Sequence, residues 1–240
     1  MTSNASSLKE NPLAPTYRYA IGNHVRKNFI QEWLPQMKGT GFNFGAGSSD
    51  WSEYLSPQAA MRRMDIDFSE AKHLDLITDI QHTGIKSGSL DWILCSEVIE
   101  HVLDFKKALR EIGRCLKSSG KLILTVPFAI PLHGEPYDYW RFTQHALQAL
   151  AQETGFKIIY LEGLGNFSAF YWQSLSAEYH RRFAWVPPGL SGLKRAILKC
   201  LNLTVPLFCG FCFMMASPQN KKKEHKSGQP LCWGACLEKA

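Results

Sequence analysis

Four residues in the middle of the chain carry side chains that can act on a proton or hold a metal ion. Glu97, Glu100 and His101 occupy positions i, i+3 and i+4, so on a helical turn they face the same way. His133 follows in a separate segment. An imidazole titrates near neutral pH and is suited to accepting a proton, whereas carboxylate oxygens with imidazole nitrogens can bind a divalent ion. We expect proton transfer here rather than a bound metal.

A second group of residues is suited to holding a ligand against bare backbone. Gly45, Ala46 and Gly47 follow a short apolar run that ends at Phe44. Glycine adopts backbone conformations that other residues avoid, and its lack of a Cβ lets a ligand approach the main chain. The pattern predicts a strand, a tight turn, and a helix beginning near Ser49-Asp50 whose free N–H groups face the ligand.

Several of these residues fall where predicted strands end. Strand-like apolar runs cover 61–67, 74–80, 90–95 and 121–127. At or next to their carboxyl ends stand Asp65, Asp79, Ser96 and Pro127, as Gly45 does for the first strand. Ligands of open parallel sheets bind beyond the carboxyl ends of the strands. The sequence therefore predicts one ligand site along this edge.

The elements that must position these residues alternate along the chain. Asp104 is the expected N-cap of a helix, and apolar residues follow it at helical spacing: Ala108, Leu109, Ile112, Cys115 and Leu116. The run 118–120, which ends in glycine, predicts the end of that helix. Strands alternating with helices over short connections predict an α/β fold, with a doubly wound, mostly parallel sheet covered on both faces.

In the order and spacing of these pieces, residues 40–165 resemble the class I S-adenosylmethionine-dependent methyltransferases, in particular the type 11 group. The matching pieces are Phe44-Gly45-Ala46-Gly47, Met64-Asp65-Ile66, Thr78-Asp79-Ile80, 89–94, 96–102 and 116–120. Asn43 departs from the family, which usually has an acid there, and Ser49 stands where a third glycine is common. The resemblance implies a seven-stranded Rossmann-like sheet with a terminal antiparallel strand pair, and S-adenosylmethionine as the cofactor.

The resemblance also implies which residues contact the methionyl part of that cofactor. Gly45, Ala46 and Gly47 would let the backbone lie against it. Ser96 and Glu97, which follow the fourth strand, would border the same end.

The nucleoside part would be held by the second and third strands. Asp65, followed by Ile66, would accept hydrogen bonds from both ribose hydroxyls, because a carboxylate offers two adjacent acceptors. Asp67 takes that role if the strand register is shifted by two residues. Asp79 would accept a hydrogen bond from the adenine amino group, with Ile80 against the ring.

The run 133–143 resembles a subgroup associated with cell-surface sugar pathways. Its polar side chains suit a hydroxylated acceptor: Tyr137, Asp138, Tyr139 and Arg141, before a helix capped by Thr143. We therefore expect methyl transfer to a small polar acceptor, such as a hydroxyl of a sugar or saccharide intermediate. A hydroxyl must lose its proton, so His133 is the first choice of general base and His101 the second.

Two other functions stay open. The Glu97, Glu100 and His101 run, with His133, resembles the small-RNA 2′-O-methyltransferases, which implies a metal-assisted reaction on RNA. A methyltransferase fold can also serve as a non-catalytic accessory or interaction protein. Cofactor binding together with the release of a methyl group would separate the enzymes from the accessory role.

Composition fits one α/β core with tails. The 240 residues are 45% hydrophobic and 20% charged, with a net charge of +6 to which Lys221, Lys222 and Lys223 contribute. A basic tail is more often solvated than bound to nucleic acid. No secretory signal is visible, so we expect seven reduced cysteines and a cytoplasmic location. The pairs Cys209/Cys212 and Cys232/Cys236 are not expected to bind zinc.

The C-terminal third divides into several predicted pieces. The apolar stretch 196–216 is interrupted by Lys199, Asn202 and Pro206, so it predicts a helix at 193–203 and a buried strand at 208–216 that pairs with 156–161. A peripheral membrane contact through this apolar region stays open. We divide the chain into a segment with a leading helix (1–39), a methyltransferase domain (40–218) with an aromatic helical insertion at about 166–200, and a disordered tail (219–240).

Overall fold

Strands and helices alternate through most of the chain. The computed structural model describes residues 21–65, 74–183, 192–216 and 229–240. The elements are α1 (Ile21–Trp33), β1 (Gly39–Phe44), β2 (Ala59–Asp65), β3 (Leu76–Ile77), β4 (Leu90–Ser96), α2 (Phe105–Cys115), β5 (Leu116–Pro127), α3 (Gln144–Glu153), β6 (Phe156–Leu164), α4 (Phe167–Phe183), α5 (Gly192–Ala216) and β7 (Cys232–Lys239). Short 3₁₀ turns lie at Leu34–Gln36, Ser52–Tyr54 and Ile99–His101.

The strands form one seven-stranded sheet in the order β3-β2-β1-β4-β5-β7-β6. The pairs from β3 to β5 are parallel, while β7 runs antiparallel to both of its neighbours, β5 and β6. This arrangement confirms the predicted α/β fold with a terminal antiparallel strand pair. The carboxyl ends of β1 to β5 therefore share one edge of the sheet.

Helices cover both faces of this sheet. In β5, Leu122 and Leu124 join the buried cluster that includes residues of α2 and α3, while Ile123 between them joins the cluster of α1 and α4. This follows from the two-residue period of a strand, which sends successive side chains to opposite faces. The central strands are thus buried on both sides, and only their ends can reach a ligand.

Helix α2 begins as the sequence predicts and ends earlier. The Asp104 side chain accepts a hydrogen bond from the Lys107 N–H at 3.0 Å and so caps the helix. The predicted helix end at 118–120 is wrong, because the helix stops at Cys115 and β5 starts at Leu116. Leu116 pairs with Leu90 of β4, and the strand then bulges before regular pairing resumes. The glycine at 120 belongs to this irregular stretch of strand and not to a helix cap.

The helix predicted to begin near Ser49-Asp50 is also wrong. Between β1 and β2, the described residues contain a single 3₁₀ turn, at Ser52–Tyr54. Asp50 accepts hydrogen bonds from both the N–H and the hydroxyl of Ser52, which holds the chain in a turn. Pro57 follows shortly afterwards, just before β2, and disfavours the helical conformation in the residue before it.

The predicted seventh strand lies in the wrong place. Residues 208–216 belong to the helix α5, in which Phe208 and Phe211 are exposed rather than buried. The seventh strand is Cys232–Lys239, inside the segment predicted to be a disordered tail, so the sheet extends beyond the predicted domain end at 218. Because β7 lies between β5 and β6, it is apolar on both faces and lacks the alternation of a half-buried strand.

Helix α5 is long and rich in apolar residues, so its ability to span a membrane has to be considered. Within the described residues, no helix is both long enough and apolar enough to cross a bilayer. One face of α5 nevertheless exposes apolar side chains: Leu193, Ile197, Leu207, Phe208 and Phe211. The predicted peripheral membrane contact stays a prediction.

Acid should weaken the fold through Glu111 of α2. Its carboxylate accepts hydrogen bonds from Arg114 and from Thr83, and the Arg114 bond chiefly lowers the pKa of Glu111 to about 2. Between about pH 4.5 and about pH 2, the unfolded chain binds more protons than the native state. The free energy of unfolding therefore falls as the pH falls through this range. Between about pH 5 and about pH 3, the free energy of unfolding of Glu111→Gln should fall by about 2 kcal/mol less than that of the parent.

Denaturant unfolding at several pH values measures this difference. Glu153→Gln is the matched control, since Glu153 also pairs with basic helical residues, Lys106 and Arg110, but is 44% exposed. An exposed ion pair contributes little, so that variant should keep the parental pH slope. Equal slopes in Glu111→Gln and the parent would contradict the assignment.

Candidate functional site

The turn after β1 is shaped by two glycines with different surroundings. Gly45 and Gly47 have φ values of 66° and 49°, in the region that favours glycine. A Cβ on Gly45 would collide with Val98, so the turn packs directly against the segment after β4. A Cβ on Gly47 would meet nothing within 4 Å. The turn therefore needs Gly45 for packing, while Gly47 borders open space.

Hydrogen bonds fix this turn to the end of β2. The Ala46 N–H donates to the Met64 carbonyl at 3.0 Å, and the Gly47 N–H donates to Asp65 Oδ2 at 2.7 Å. Both N–H groups therefore form hydrogen bonds within the protein. They do not project from the start of a helix, as the sequence predicted. The carboxylate of Asp65 and the backbone of Gly47 thus lie side by side at the edge of the sheet.

The predicted nucleoside residues lie at the ends of the neighbouring strands. Asp65 is the last residue of β2 and pairs with Ile77 of β3. Asp79 follows β3 and accepts a hydrogen bond from the Gln81 N–H at 2.8 Å, while Ile80 is buried. Ile66 and the alternative ribose residue Asp67 lie outside the described residues.

Ser96 and Glu97 mark the end of β4 beside β5. The Ser96 hydroxyl lies 2.8 Å from the Thr125 hydroxyl, and the Glu97 N–H donates to the Thr125 carbonyl at 3.0 Å. Glu97 has a φ of 56°, which is uncommon for a residue with a side chain. Burial, assisted by the nearby Glu100 carboxylate, raises the pKa of Glu97. Its Oε1 is buried and has no hydrogen-bond partner among the described residues.

Glu100, on the 3₁₀ turn Ile99–His101, is the centre of the site. Its side chain is 0% exposed, and neither carboxylate oxygen has a hydrogen-bond partner among the described residues. His101 Nε2 and His133 Nε2 each lie 3.7 Å from Glu100 Oε1. The two imidazole rings meet edge to face with centroids 4.8 Å apart. The interaction with Glu100 raises the pKa of His133, against the opposing effect of burial.

The loop 133–141 folds over this turn and holds the second histidine there. The Glu100 carbonyl accepts the N–H groups of Tyr139 and Trp140, at 2.9 and 3.2 Å. The Trp140 indole N–H donates to the Val102 carbonyl at 3.1 Å. Phe105 stacks edge to face on Trp140 with centroids 5.0 Å apart. These contacts join residues that are far apart in the sequence into one rigid corner.

Four loop residues expected to shape an acceptor pocket divide into two kinds. Asp138 is almost fully buried and pairs with Arg141 through two bonds of 2.6 and 2.7 Å, which lower the pKa of Asp138 to about 2. Asp138 also accepts the His133 N–H at 2.9 Å, so this pair braces the loop. Tyr137 and Tyr139 are exposed and border the surface of the site. As predicted, Thr143 caps the following helix, through the Ala146 N–H.

Arg26 belongs to the site, and sequence reasoning missed it. It lies on α1, and its positive charge acts on the buried Glu97. The Arg26 side chain donates to Asn23 at 3.0 Å, while its Nε is buried and has no hydrogen-bond partner among the described residues. No motif surrounds Arg26 in the sequence, so only the packing of α1 could reveal it.

This geometry combines an open glycine turn with buried acids and two imidazoles. Because Gly45 packs on Val98, two residues before Glu100, the glycine turn and the histidine pair are neighbours. The glycine turn suits a ligand that lies along the backbone, and the imidazoles suit proton removal from a second ligand. The edge therefore carries groups suited to two different ligands.

Comparison with known proteins places this chain in a family. The family model described as a methyltransferase domain matches residues 23–161, more than half of the chain. An uncharacterised protein of Methanocaldococcus jannaschii is 44% identical over 55 residues, which are 23% of this chain and 24% of that protein. That match therefore spans about a quarter of the relative's length.

Solved structures share the architecture. A phosphoethanolamine N-methyltransferase from Haemonchus contortus, in complex with S-adenosyl-L-methionine, has a TM-score of 0.57 at 14% identity, over 100% of this chain and 60% of its own. A SAM-dependent methyltransferase from Archaeoglobus fulgidus has a TM-score of 0.56 at 14% identity, over 95% of this chain and 100% of its own. Such identities establish the fold, and the family model supplies the membership. The chain belongs to the methyltransferase domain family and has the fold of S-adenosylmethionine-dependent methyltransferases of known structure.

Proposed function

We propose that this protein transfers the methyl group of S-adenosylmethionine to a hydroxyl group of a small polar acceptor, such as a sugar or saccharide intermediate. The observation that carries the proposal is the buried Glu100 carboxylate with two imidazoles 3.7 Å away, beside the glycine turn. A hydroxyl is a poor nucleophile until its proton is removed, and imidazoles are the side chains that most often remove it. An amine acceptor that is already neutral would need no such group.

The residues present fit the cofactor at the strand ends. Open space over Gly47 leaves room for the methionyl part, which we assign to Gly45, Ala46 and Gly47 together with Ser96 and Glu97. The carboxylate of Glu97 suits the positive charges of the methionyl ammonium and sulfonium groups. When bound, the cofactor supplies a methyl group that is activated by the sulfonium.

The nucleoside part is assigned to the ends of β2 and β3. Asp65, followed by Ile66, is the proposed partner of the ribose hydroxyls, because a carboxylate can accept two bonds from a diol. Asp79 is the proposed partner of the adenine amino group, and the buried Ile80 is its apolar contact.

On the acceptor side, the chain's own residues align the reactants and manage one proton. His133 has its Nδ1 within 3.3 Å of the Pro131 carbonyl, so its Nε2 is the nitrogen that points to Glu100 and the site. We propose His133 as the first and His101 as the second group that takes up the acceptor proton. Glu100 stabilises the imidazolium that forms. Alignment of the acceptor oxygen with the methyl group is the larger part of the catalysis, because displacement requires an in-line approach.

A labelling experiment in a cell extract tests the proposal. Extract from cells that lack the protein is incubated with purified protein and S-adenosylmethionine labelled in its methyl group, and the labelled species are identified by mass spectrometry. The proposal expects a labelled small molecule with an O-methyl group. Labelled RNA would instead favour the 2′-O-methyltransferase alternative, and cofactor binding without any labelled product would favour the accessory role.

Cofactor binding should depend on Asp65. Asp65→Ala removes a carboxylate whose bonds to the ribose are worth roughly 1.5–3 kcal/mol each, so affinity for S-adenosylmethionine should fall at least about tenfold. Asp75→Ala is the matched control, because Asp75 also accepts a backbone N–H, that of Arg63 at 2.8 Å, but lies before β3. Calorimetry should show parental affinity in the control. A loss in Asp67→Ala with normal binding in Asp65→Ala would move the ribose to the other acid.

A further inference from the structure

We propose that Glu100, His101 and His133 form a binding site for a divalent transition-metal ion. One ligand atom from each residue lies within 4.8 Å of the others, and Glu100 Oε1 lies 3.7 Å from each imidazole Nε2. The carboxylate comes from the turn after β4, and the second imidazole from the loop after β5. The tertiary fold therefore assembles two nitrogens and an oxygen around one point.

The tautomers of both histidines leave a lone pair at this point. His101 Nδ1 lies 3.1 Å from the Tyr137 carbonyl, which can only accept, so Nδ1 carries the proton. His133 Nδ1 faces the Pro131 carbonyl at 3.3 Å and Asp138 Oδ2 at 3.4 Å, which are also acceptors. In a neutral imidazole the other nitrogen, Nε2, then has no proton. Metal-binding histidines are commonly oriented in this way by a carbonyl or carboxylate behind them.

When both imidazoles are neutral, three acceptors converge at this point. Glu100 is 0% exposed, and neither of its oxygens has a hydrogen-bond partner among the described residues. A buried carboxylate without a partner is strongly unfavourable, so such groups are normally paired or bound to a metal. The 3.7 Å separation is too long for a hydrogen bond from either imidazole. A cation between the three atoms satisfies all of them at once.

The separations are close to those of a metal site. Ligands that lie about 2.0–2.2 Å from a common ion are about 3.0–3.6 Å apart at ordinary coordination angles. The two distances of 3.7 Å shorten slightly when an ion binds, and the separations of up to 4.8 Å shorten more, by rotation of the side chains. Imidazole nitrogens favour zinc, iron or cobalt over magnesium or calcium, and two histidines with one carboxylate leave coordination positions open. The acceptor hydroxyl can occupy one of these positions.

The role of the ion, though not its binding, rests on the proposed function. A hydroxyl bound to a divalent cation loses its proton to solvent more easily. The resulting oxygen would form a bond to the cofactor's methyl carbon while the carbon–sulfur bond breaks and leaves a neutral thioether. With the ion bound, His133 acts as a ligand, and the ion replaces it as the group that activates the hydroxyl.

Titration with Co²⁺ tests the site directly, because the visible spectrum of Co²⁺ reports nitrogen and oxygen ligands. The parent, stripped with EDTA, should bind one Co²⁺ per chain. Glu100→Gln, which keeps the shape of the side chain, and His133→Ala should each lower the affinity at least about tenfold, in the range seen when a metal site loses a supporting group. His145→Ala, which removes an exposed imidazole on α3, is the control and should bind as the parent does. Circular dichroism verifies that each variant is folded.

Two results would overturn the inference: no Co²⁺ bound by the parent, or equal affinity in the parent, Glu100→Gln and His133→Ala. Retained binding in Glu100→Gln with loss in His145→Ala would place the ion elsewhere. Methyl transfer is measured in parallel with and without EDTA. If Co²⁺ binds and EDTA leaves turnover unchanged, the site stands and its role in the reaction is wrong. If no methyl transfer occurs at all, the proposed function fails, and the Co²⁺ titration still decides the metal site.

Discussion

Replacing His133 by alanine is expected to lower turnover by roughly 10²–10⁴-fold while S-adenosylmethionine binds as in the parent. The imidazole lies 3.7 Å from the buried Glu100 carboxylate and is not among the residues assigned to the cofactor. Its loss removes either a proton acceptor or a metal ligand, and both roles concern the acceptor hydroxyl. Calorimetry with the cofactor and a turnover assay with the acceptor found in the extract experiment measure the two effects separately.

Chemical rescue separates the two roles of His133. If it is a general base, added imidazole should restore part of the turnover of His133→Ala, and EDTA should not affect the parent. If it is a metal ligand, turnover of the parent should fall with EDTA and recover with added ion. His145→Ala serves again as the control for a lost exposed imidazole. Normal turnover in His133→Ala would show that both roles are wrong and that His133 is part of a structural loop.

Replacing Gly47 by valine is expected to abolish binding of S-adenosylmethionine while the fold survives. Gly47 has a φ of 49°, and a Cβ there meets nothing within 4 Å, so the new side chain would enter the open space next to the turn. The same change also strains the backbone, because a β-branched residue with positive φ is unfavourable. The effect of backbone strain on stability must therefore be separated from the effect of the new side chain on cofactor binding.

Gly84 provides the matched control for that strain. It has a φ of 69° and also borders open space, but it lies in the loop before β4, beside Thr83, which binds Glu111 of α2. Gly84→Val should therefore lose a similar amount of stability and keep its cofactor affinity. Thermal unfolding and calorimetry on both variants make the comparison. Unchanged cofactor affinity in Gly47→Val would place the methionyl part elsewhere.

The parts of the fold that depend on local pattern were predictable. Asp104 and the apolar residues behind it indicate α2, since one N-cap and one buried face are properties of a single segment. The same holds for the strand ends at Asp65 and Ser96. Strand β7 was not predictable in this way, because its apolar and polar residues do not alternate. An apolar run that belongs to α5 was an equally suitable candidate for the seventh strand.

The chemical groups at the carboxyl ends of the strands can be read from the sequence: a glycine turn, acids at the ends of β2 and β3, and a Glu-x-x-Glu-His run after β4. Spacing within one segment carries that information. Tertiary structure alone decided that His133 meets Glu100 and that Nδ1 of both histidines faces a carbonyl. It also decided that Arg26 from α1 acts on Glu97. Such contacts join residues that are far apart in the sequence. They form only when separate elements pack together, so no local pattern indicates them.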